Sequence, residues 1–156
     1  MTEFTLETAP SLIGQKLVTT DWLTVTQEQV DGFAKATLDP DWMHIDVERS
    51  RKESPYGGTI VQGFLNMTLV IYFSHNYHAQ PSDVSYGLNY GVDRARFITP
   101  VLVGSRIRDH IVLKEFEQRE ENRFFQKTSH TIEAEGQEKP AAVVDFLVLW
   151  FRELRH

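Results

Sequence analysis

The feature that most constrains the fold is an apolar run between Thr59 and Phe73. Its large apolar side chains point in nearly every direction around a helix: Val61, Phe64, Leu65, Leu69, Tyr72 and Phe73. A helix of this character is stable only when other parts of the protein cover it. The turn-forming sequence Ser54–Gly58 precedes the run. We therefore expect a helix from Thr59 to Phe73 that lies in the core of the protein.

Three segments in the second half of the chain have the composition of β-strands. Residues Ile107–Leu113, Phe124–Ala134 and Ala141–Phe151 are rich in β-branched and aromatic side chains, and turn-forming sequences separate them. Strands in series after one apolar helix favour an antiparallel sheet that wraps around that helix, because each element needs the other to bury its apolar surface. The sequence therefore predicts an α+β fold with an antiparallel β-sheet wrapped around a long central α-helix.

Length, composition and charge limit the number of domains and the classes of binding partner. A chain of 156 residues fits one domain, spanning residues 1–156. Because the chain has no cysteine, disulfides, thiolate metal sites and a cysteine nucleophile are excluded. A net charge of −6 argues against broad electrostatic binding to nucleic acid or to an anionic membrane. The N-terminal residues do not resemble a signal peptide and no apolar run is long enough to span a membrane, so we expect a cytoplasmic protein.

The candidate catalytic groups are Asp39 and His44, which lie on either side of Pro40. The sequence Thr26–Gln29 fits a capping box and predicts a helix from about 27 to 37 that leads to Asp39. Because Pro40 disfavours helical backbone at Asp39, we expect a loop to carry the pair. Histidine titrates near neutral pH, and a nearby carboxylate can share in proton transfer or fix the tautomer of the ring.

The same two residues also allow a purely structural interpretation. Asp39 can end a helix by accepting backbone hydrogen bonds, and His44 can be a buried histidine whose ring is satisfied. An aspartate and a histidine at this spacing often occur by chance, so the spacing alone favours the structural interpretation. The choice between the two depends on the rest of the chain.

Four blocks of sequence, in this order, resemble the MaoC-like hydratases of the hot dog fold, and most closely their NodN-like branch. The blocks are Asp39-x4-His44 followed by Ile45-Asp46, then Pro55–Phe64, then Gly87–Phe97, then Pro100–Ser105. The resemblance covers nearly the whole chain from about Gly14 onward. Four blocks in one order are more specific than a single motif, and they favour the catalytic interpretation of Asp39 and His44.

The resemblance implies an activity and an assembly. The implied reaction is the (R)-specific hydration of trans-2-enoyl thioesters, or the reverse dehydration of (R)-3-hydroxyacyl thioesters, with coenzyme A or acyl carrier protein as the thiol. No metal and no redox cofactor are implied. The resemblance also implies a homodimer with an acyl tunnel near the subunit interface. The long apolar segment Ala141–Phe151 also favours pairing of sheet edges between two subunits, because an exposed apolar edge is prone to aggregate.

Hydration of an enoyl thioester requires a base, an acid and a donor to the enolate oxygen. His44 is the expected base and Asp39 the expected proton donor or partner, with one water between them. The expected donor to the enolate oxygen is the backbone N–H of Gly63, near the start of the apolar helix, where the helix dipole favours negative charge. The alternative is that Gly63 only permits close packing of the helix.

Two departures from the family pattern keep other functions open. Gln62 stands where family members commonly have histidine, and since glutamine cannot titrate we expect it to have only a supporting role. Asp41-Trp42 replaces a frequent Asn-Pro and adds a second negative charge near the site. These departures support the alternative of a non-catalytic protein that binds or senses acyl thioesters. A thioesterase on the same fold is disfavoured by the spacing of Asp39 and His44.

Several other polar residues are expected to be structural. His75 and His78 have a spacing that can suit a metal, but histidines near a helix C-terminus more often interact with the helix dipole. We place the other three histidines in strands or in the C-terminal tail: His110, His130 and His156. Alternating arginines are more often a solvated strand face than a phosphate site, and here they are Arg94, Arg96, Arg106 and Arg108.

Overall fold

The computed structural model describes residues 2–152. Its helices are α1 (Ala9–Leu12), α2 (Gln27–Thr37), α3 (Trp42–Ile45), α4 (Val47–Glu53) and α5 (Gly63–Asn76). Its strands are β1 (Lys16–Thr19), β2 (Leu23–Thr24), β3 (Tyr86–Phe97), β4 (Arg106–Glu120), β5 (Arg123–Ala134) and β6 (Ala142–Phe151). Within residues 2–152, no helix is long and apolar enough to cross a membrane.

The six strands of residues 2–152 form one antiparallel sheet with the order β1-β4-β5-β6-β3, and β2 pairs with β4. The strands expected around residues 107–113, 124–134 and 141–151 are therefore confirmed. The expectation that the last of them leaves an exposed edge is wrong, because β6 hydrogen-bonds to β5 on one side and to β3 on the other. The strand with a free edge on this side of the sheet is β3.

The apolar run forms the central helix α5, but this helix begins at Gly63 rather than at Thr59. The residues between them are extended, since Val61 N–H donates to Val101 O at 2.8 Å and Val103 N–H donates to Thr59 O at 2.9 Å. One side of α5 is buried among residues of the sheet and includes Leu65, Val70 and Phe73. The other side of α5 is not covered by this chain, because Phe64 is 62% exposed and Tyr72 is 38% exposed.

Helix α2 has the predicted bounds, Gln27–Thr37, and the predicted capping box. The segment after it differs from the expected loop, because it contains the short helices α3 and α4. Aspartate side chains cap both helices: Asp41 accepts from Met43 N–H at 2.8 Å, and Asp46 accepts from Arg49 N–H at 3.0 Å. Proline thus ends α2 as predicted, and the aspartates that follow it start new helical turns.

Candidate active site

Asp39 is held at the end of α2 by an unusual backbone turn. Leu38 adopts a left-handed conformation with φ of 58°, which is uncommon for a residue other than glycine. The N–H groups of Leu38 and Asp39 both donate to Ala34 O. Asp39 Oδ1 then accepts from Asp41 N–H at 3.0 Å. The turn before Asp39 therefore fixes its backbone, and the N–H of Asp41 after it orients the carboxylate.

His44 lies in α3, and its ring is oriented by the chain that leads into α5. His44 Nδ1 lies 2.7 Å from Ile60 O. Since a carbonyl oxygen can only accept, Nδ1 carries the hydrogen of this bond. The neutral ring therefore has an unprotonated Nε2, which is the nitrogen that can take a proton from water. A backbone hydrogen bond from Ile60 N–H to Met43 O, at 3.0 Å, fixes the two segments against each other.

The structure places Asp39 and His44 on the same short connection between α2 and α4. Within residues 2–152, no hydrogen bond joins their side chains. A shallow surface depression of about 490 Å³ borders Asp39 and is lined by Ala34, Leu38 and Ile45, whereas His44 is not among its lining residues. Direct pairing of the two groups is thus absent from this arrangement, and a shared water stays a prediction.

Gly63 is the first residue of α5. Its N–H has no hydrogen-bond acceptor within residues 2–152, as expected for the first turn of a helix. The ring of Phe97 lies directly against it, because a Cβ built on Gly63 would lie 2.6 Å from Phe97 Cγ. The packing interpretation of this glycine therefore has direct support. Its role as a hydrogen-bond donor to a substrate stays a prediction.

Gln62 is buried and precedes α5. Its Nε2 donates to Val30 O at 3.1 Å, and its Oε1 has no hydrogen-bond partner among the described residues. Asn66 Oδ1, one helical turn further along α5, is likewise buried and unpaired. Sequence reasoning did not single out Asn66, because an asparagine inside an apolar helix has no motif of its own.

A buried polar chain on β4 and β5 was also missed by sequence reasoning. His130 Nδ1 lies 2.6 Å from Asp109 Oδ2, and His130 Nε2 lies 2.8 Å from Thr128 Oγ1. Burial raises the pKa of Asp109, and the hydrogen bond with His130 opposes that rise. His110 lies in a strand as expected and contacts Glu133 at 2.7 Å. Asp109 and His130 lie on neighbouring strands, as do His110 and Glu133, so the spacing of these pairs along the chain gave no signal.

The remaining polar groups lie on α5, just after it and on the sheet. His75 lies in the last turn of α5, as expected, and His78 follows the end of this helix. Within residues 2–152, no three side chains of the metal-binding types gather in one place. Arg106 and Arg108 pair with Glu135 and Glu133 on the exposed face of the sheet. His156 lies outside the described residues.

Comparison with known proteins identifies the class. Residues 8–135 match the family model described as the MaoC like domain, so the chain belongs to this family. It is 38% identical over 149 residues to nodulation protein N of Rhizobium leguminosarum bv. viciae, covering 96% of this chain and 92% of the relative. It is also 38% identical over 135 residues to 3-hydroxyacyl-thioester dehydratase Z of Mycobacterium tuberculosis (strain ATCC 25618 / H37Rv), covering 86% of this chain and 88% of that relative.

Solved structures confirm the fold. The (R)-hydratase from A. caviae involved in PHA biosynthesis superposes with a TM-score of 0.70 at 18% identity, covering 87% of this chain and 94% of that chain. The monoamine oxidase regulatory protein from Archaeoglobus fulgius superposes with a TM-score of 0.73 at 22% identity, covering 91% and 92%. The chain is thus a MaoC-like protein with the hot dog fold. The family and the fold expected from the sequence are both confirmed.

Proposed function

We propose that this protein catalyses the (R)-specific hydration of trans-2-enoyl thioesters, or the reverse dehydration of (R)-3-hydroxyacyl thioesters, as a hydro-lyase. The dehydratase and hydratase names among its relatives support this reaction class. The single observation that carries the mechanism is the hydrogen bond from His44 Nδ1 to Ile60 O. This bond supports the assignment of His44 Nε2 as the base, because it leaves that nitrogen without a hydrogen in the neutral ring.

In the hydration direction, His44 Nε2 takes a proton from water as the water oxygen bonds to C3 of the enoyl group. The double-bond electrons move toward the thioester carbonyl, and C2 then takes a proton from the Asp39 carboxyl group. The cycle closes when the proton held by His44 Nε2 passes to the Asp39 carboxylate. Delivery of both groups from one side of the substrate corresponds to syn addition. Dehydration follows the same path in reverse, so the two residues exchange the roles of acid and base. Which of them holds a given proton is a property of the pair.

The enolate oxygen requires a hydrogen-bond donor, and the N–H of Gly63 is the candidate. It lies at the start of α5, where the free N–H groups and the helix dipole favour negative charge. The close contact between Gly63 and the Phe97 ring is compatible with this role, because packing involves the Cα of the glycine and donation involves its N–H. Gln62 has a supporting role through its hydrogen bond to α2.

A homodimer formed through the edge of β3 and the exposed side of α5 accompanies this function. Large apolar side chains are exposed along both elements: Phe64, Tyr72, Tyr86, Leu88, Tyr90, Val92 and Phe97. A long apolar strand edge is a template for pairing with another strand, and a second copy of the same strand closes it with two-fold symmetry. Such pairing would join two sheets into one.

The proposed activity is tested with crotonyl-CoA and longer trans-2-enoyl-CoA substrates. We expect loss of the enoyl absorbance without release of free thiol, and recovery of that absorbance when (R)-3-hydroxyacyl-CoA is supplied. Release of thiol would instead identify a thioesterase. Saturable binding with neither change would identify a protein that only binds acyl thioesters. Measuring kcat/KM with the same acyl groups attached to acyl carrier protein shows which of the two thiols is preferred.

A further inference from the structure

One side chain outside the proposed catalytic pair connects three segments that surround His44. Gln27 is the first residue of α2 and is half-buried. Its Nε2 donates to His44 O at 2.8 Å and to Asp31 Oδ1 at 2.8 Å, and its Oε1 accepts from Thr59 Oγ1 at 2.7 Å. The same amide thus contacts the start of α2, the end of α3 and the extended segment before α5.

The orientation of this amide is determined by its partners. The carbonyl of His44 and the carboxylate of Asp31 are acceptors, so both must face the two hydrogens of Nε2. Thr59 Oγ1 then donates to the remaining Oε1. Replacing this amide by a carboxylate would therefore place an acceptor against His44 O and against Asp31.

The ring and the backbone of His44 are both linked to neighbouring residues of the extended segment before α5. The ring is held by Ile60 O, and Gln27 connects the backbone carbonyl of His44 to Thr59, the residue before Ile60. Thr59 is itself buried and its carbonyl accepts from Val103 N–H at 2.9 Å. The Gln27 amide therefore adds a second link between the two segments, beside the backbone hydrogen bond from Ile60 N–H to Met43 O.

We propose that Gln27 is a positioning residue that sets the place and the tautomer of the His44 ring through the backbone of His44 and through Thr59. The expected effect of Gln27 on turnover rests on the proposed function, whereas its expected effect on the His44 ring is independent of that function. A misplacement of about 1 Å at a catalytic group can lower the rate about 10²-fold. Loss of this bridge is therefore expected to lower kcat much more than it changes KM.

The same helix provides a matched control. Gln29 completes the capping box of α2, with its Oε1 accepting from Thr26 N–H at 2.9 Å, and within residues 2–152 it makes no hydrogen bond to α3 or to Thr59. Gln29→Ala removes a stabilising interaction at the same helix end. If Gln27 were only structural, Gln27→Ala and Gln29→Ala would have similar consequences.

The experiment compares Gln27→Glu, Gln27→Ala, Thr59→Val and Gln29→Ala in the full chain. Steady-state kinetics give kcat and KM, thermal unfolding gives Tm, and ¹⁵N NMR of the histidine rings gives the tautomer of His44. We expect the wild-type ring to be protonated at Nδ1, and the Gln27 and Thr59 variants to shift toward protonation at Nε2. In these variants kcat should fall about 10- to 100-fold with KM within about 3-fold, while Gln29→Ala retains both kcat and the ring signals.

Thr59→Val preserves the size of the side chain and removes one hydrogen bond of the bridge. It therefore tests the bridge even if a Gln27 variant does not fold. Folded Gln27 or Thr59 variants with wild-type kcat and wild-type His44 signals would overturn the proposal. An inactive wild-type protein would contradict the proposed function instead, and the NMR comparison would still test the bridge.

Discussion

The two nitrogens of the His44 ring have different partners, and this asymmetry is the most specific feature of the site at the residue scale. Nδ1 is occupied by Ile60 O, and Nε2 has no hydrogen-bond partner within residues 2–152. In the proposed mechanism, a ring held in this way accepts a proton at one defined atom. Asp39 is held independently, by the backbone on both sides of it.

His44→Ala and Asp39→Asn should each lower kcat by at least about 10², because general acid and base groups typically contribute 10² to 10⁴. The double variant should be little worse than the poorer single variant, since groups that act through one water fail together. Hydration kinetics and thermal unfolding, measured side by side, test this. Gln62→Ala is the control and should lose much less turnover. Near-normal hydration by a folded His44→Ala protein would contradict the mechanism.

Asp109 and His130 illustrate a residue-scale feature that concerns stability rather than catalysis. Both side chains are completely buried and contact each other at 2.6 Å. His130→Ala should reduce the free energy of unfolding by about 3–5 kcal/mol, because it leaves an uncompensated carboxyl group in the core. Urea unfolding measures this loss. The exposed pair Arg106–Glu135 is the control, and its removal should cost far less. Equal losses for the two pairs would contradict the role given to the buried one.

At the element scale, the contact between the start of α5 and the end of β3 combines packing with the proposed hydrogen-bond donor. Gly63→Ala keeps the backbone N–H but introduces a methyl group that overlaps the Phe97 ring. We expect a lower Tm and lower activity for this variant. Adding Phe97→Ala should restore much of the activity per folded molecule, because space returns and the donor is still present. Thermal unfolding and hydration kinetics measure both effects.

If the double variant folds but stays inactive, the small size of Gly63 has a role beyond its contact with Phe97. The single variant Phe97→Ala is the necessary control for that comparison. It removes the ring without changing the backbone of α5.

The ion pairs on the outer face of β4 and β5 predict that the stability of the fold depends on pH. The hydrogen bond from Arg108, followed by that from His110, lowers the pKa of Glu133 from its ordinary value of 4.5. A carboxylate with a lowered pKa in the folded state contributes stability above the unfolded pKa, and this contribution is lost as the pH falls through the folded pKa. The difference in unfolding free energy between wild type and Glu133→Gln should therefore shrink below about pH 4.5. Denaturant titrations at several pH values test this, and a difference that grows on acidification would contradict it.

At the scale of the whole molecule, an isolated chain leaves apolar side chains uncovered along the edge of β3 and on the exposed side of α5. We expect light scattering to give the mass of two 18.0 kDa chains. Tyr90→Lys on β3 should shift the protein toward the monomer, because it places a charge on the apolar edge. Glu117→Lys on β4 is the control and should remain dimeric. A wild-type monomer at micromolar concentration would contradict this interface.

Local sequence determined the parts of the fold that depend on neighbouring residues. The capping box at Thr26 and the helical spacing after it gave the bounds of α2, because both signals lie within the helix itself. The three strands around 107–113, 124–134 and 141–151 followed from composition and turns. The sequence placed Arg94 and Arg96 on a strand but did not give the bounds of β3, since its glycines and polar residues interrupt the pattern of a strand. Hydrogen bonds to β6 fix these bounds instead.

The sequence by itself determined the family, the order of the main elements and the candidate pair Asp39 and His44. Only the tertiary structure decided that Ile60 orients the His44 ring, that Gln27 bridges to Thr59, and that His130 meets Asp109. The physical reason is that each of these contacts joins residues distant along the chain. Their meeting depends on strand register and helix packing, which no local pattern encodes.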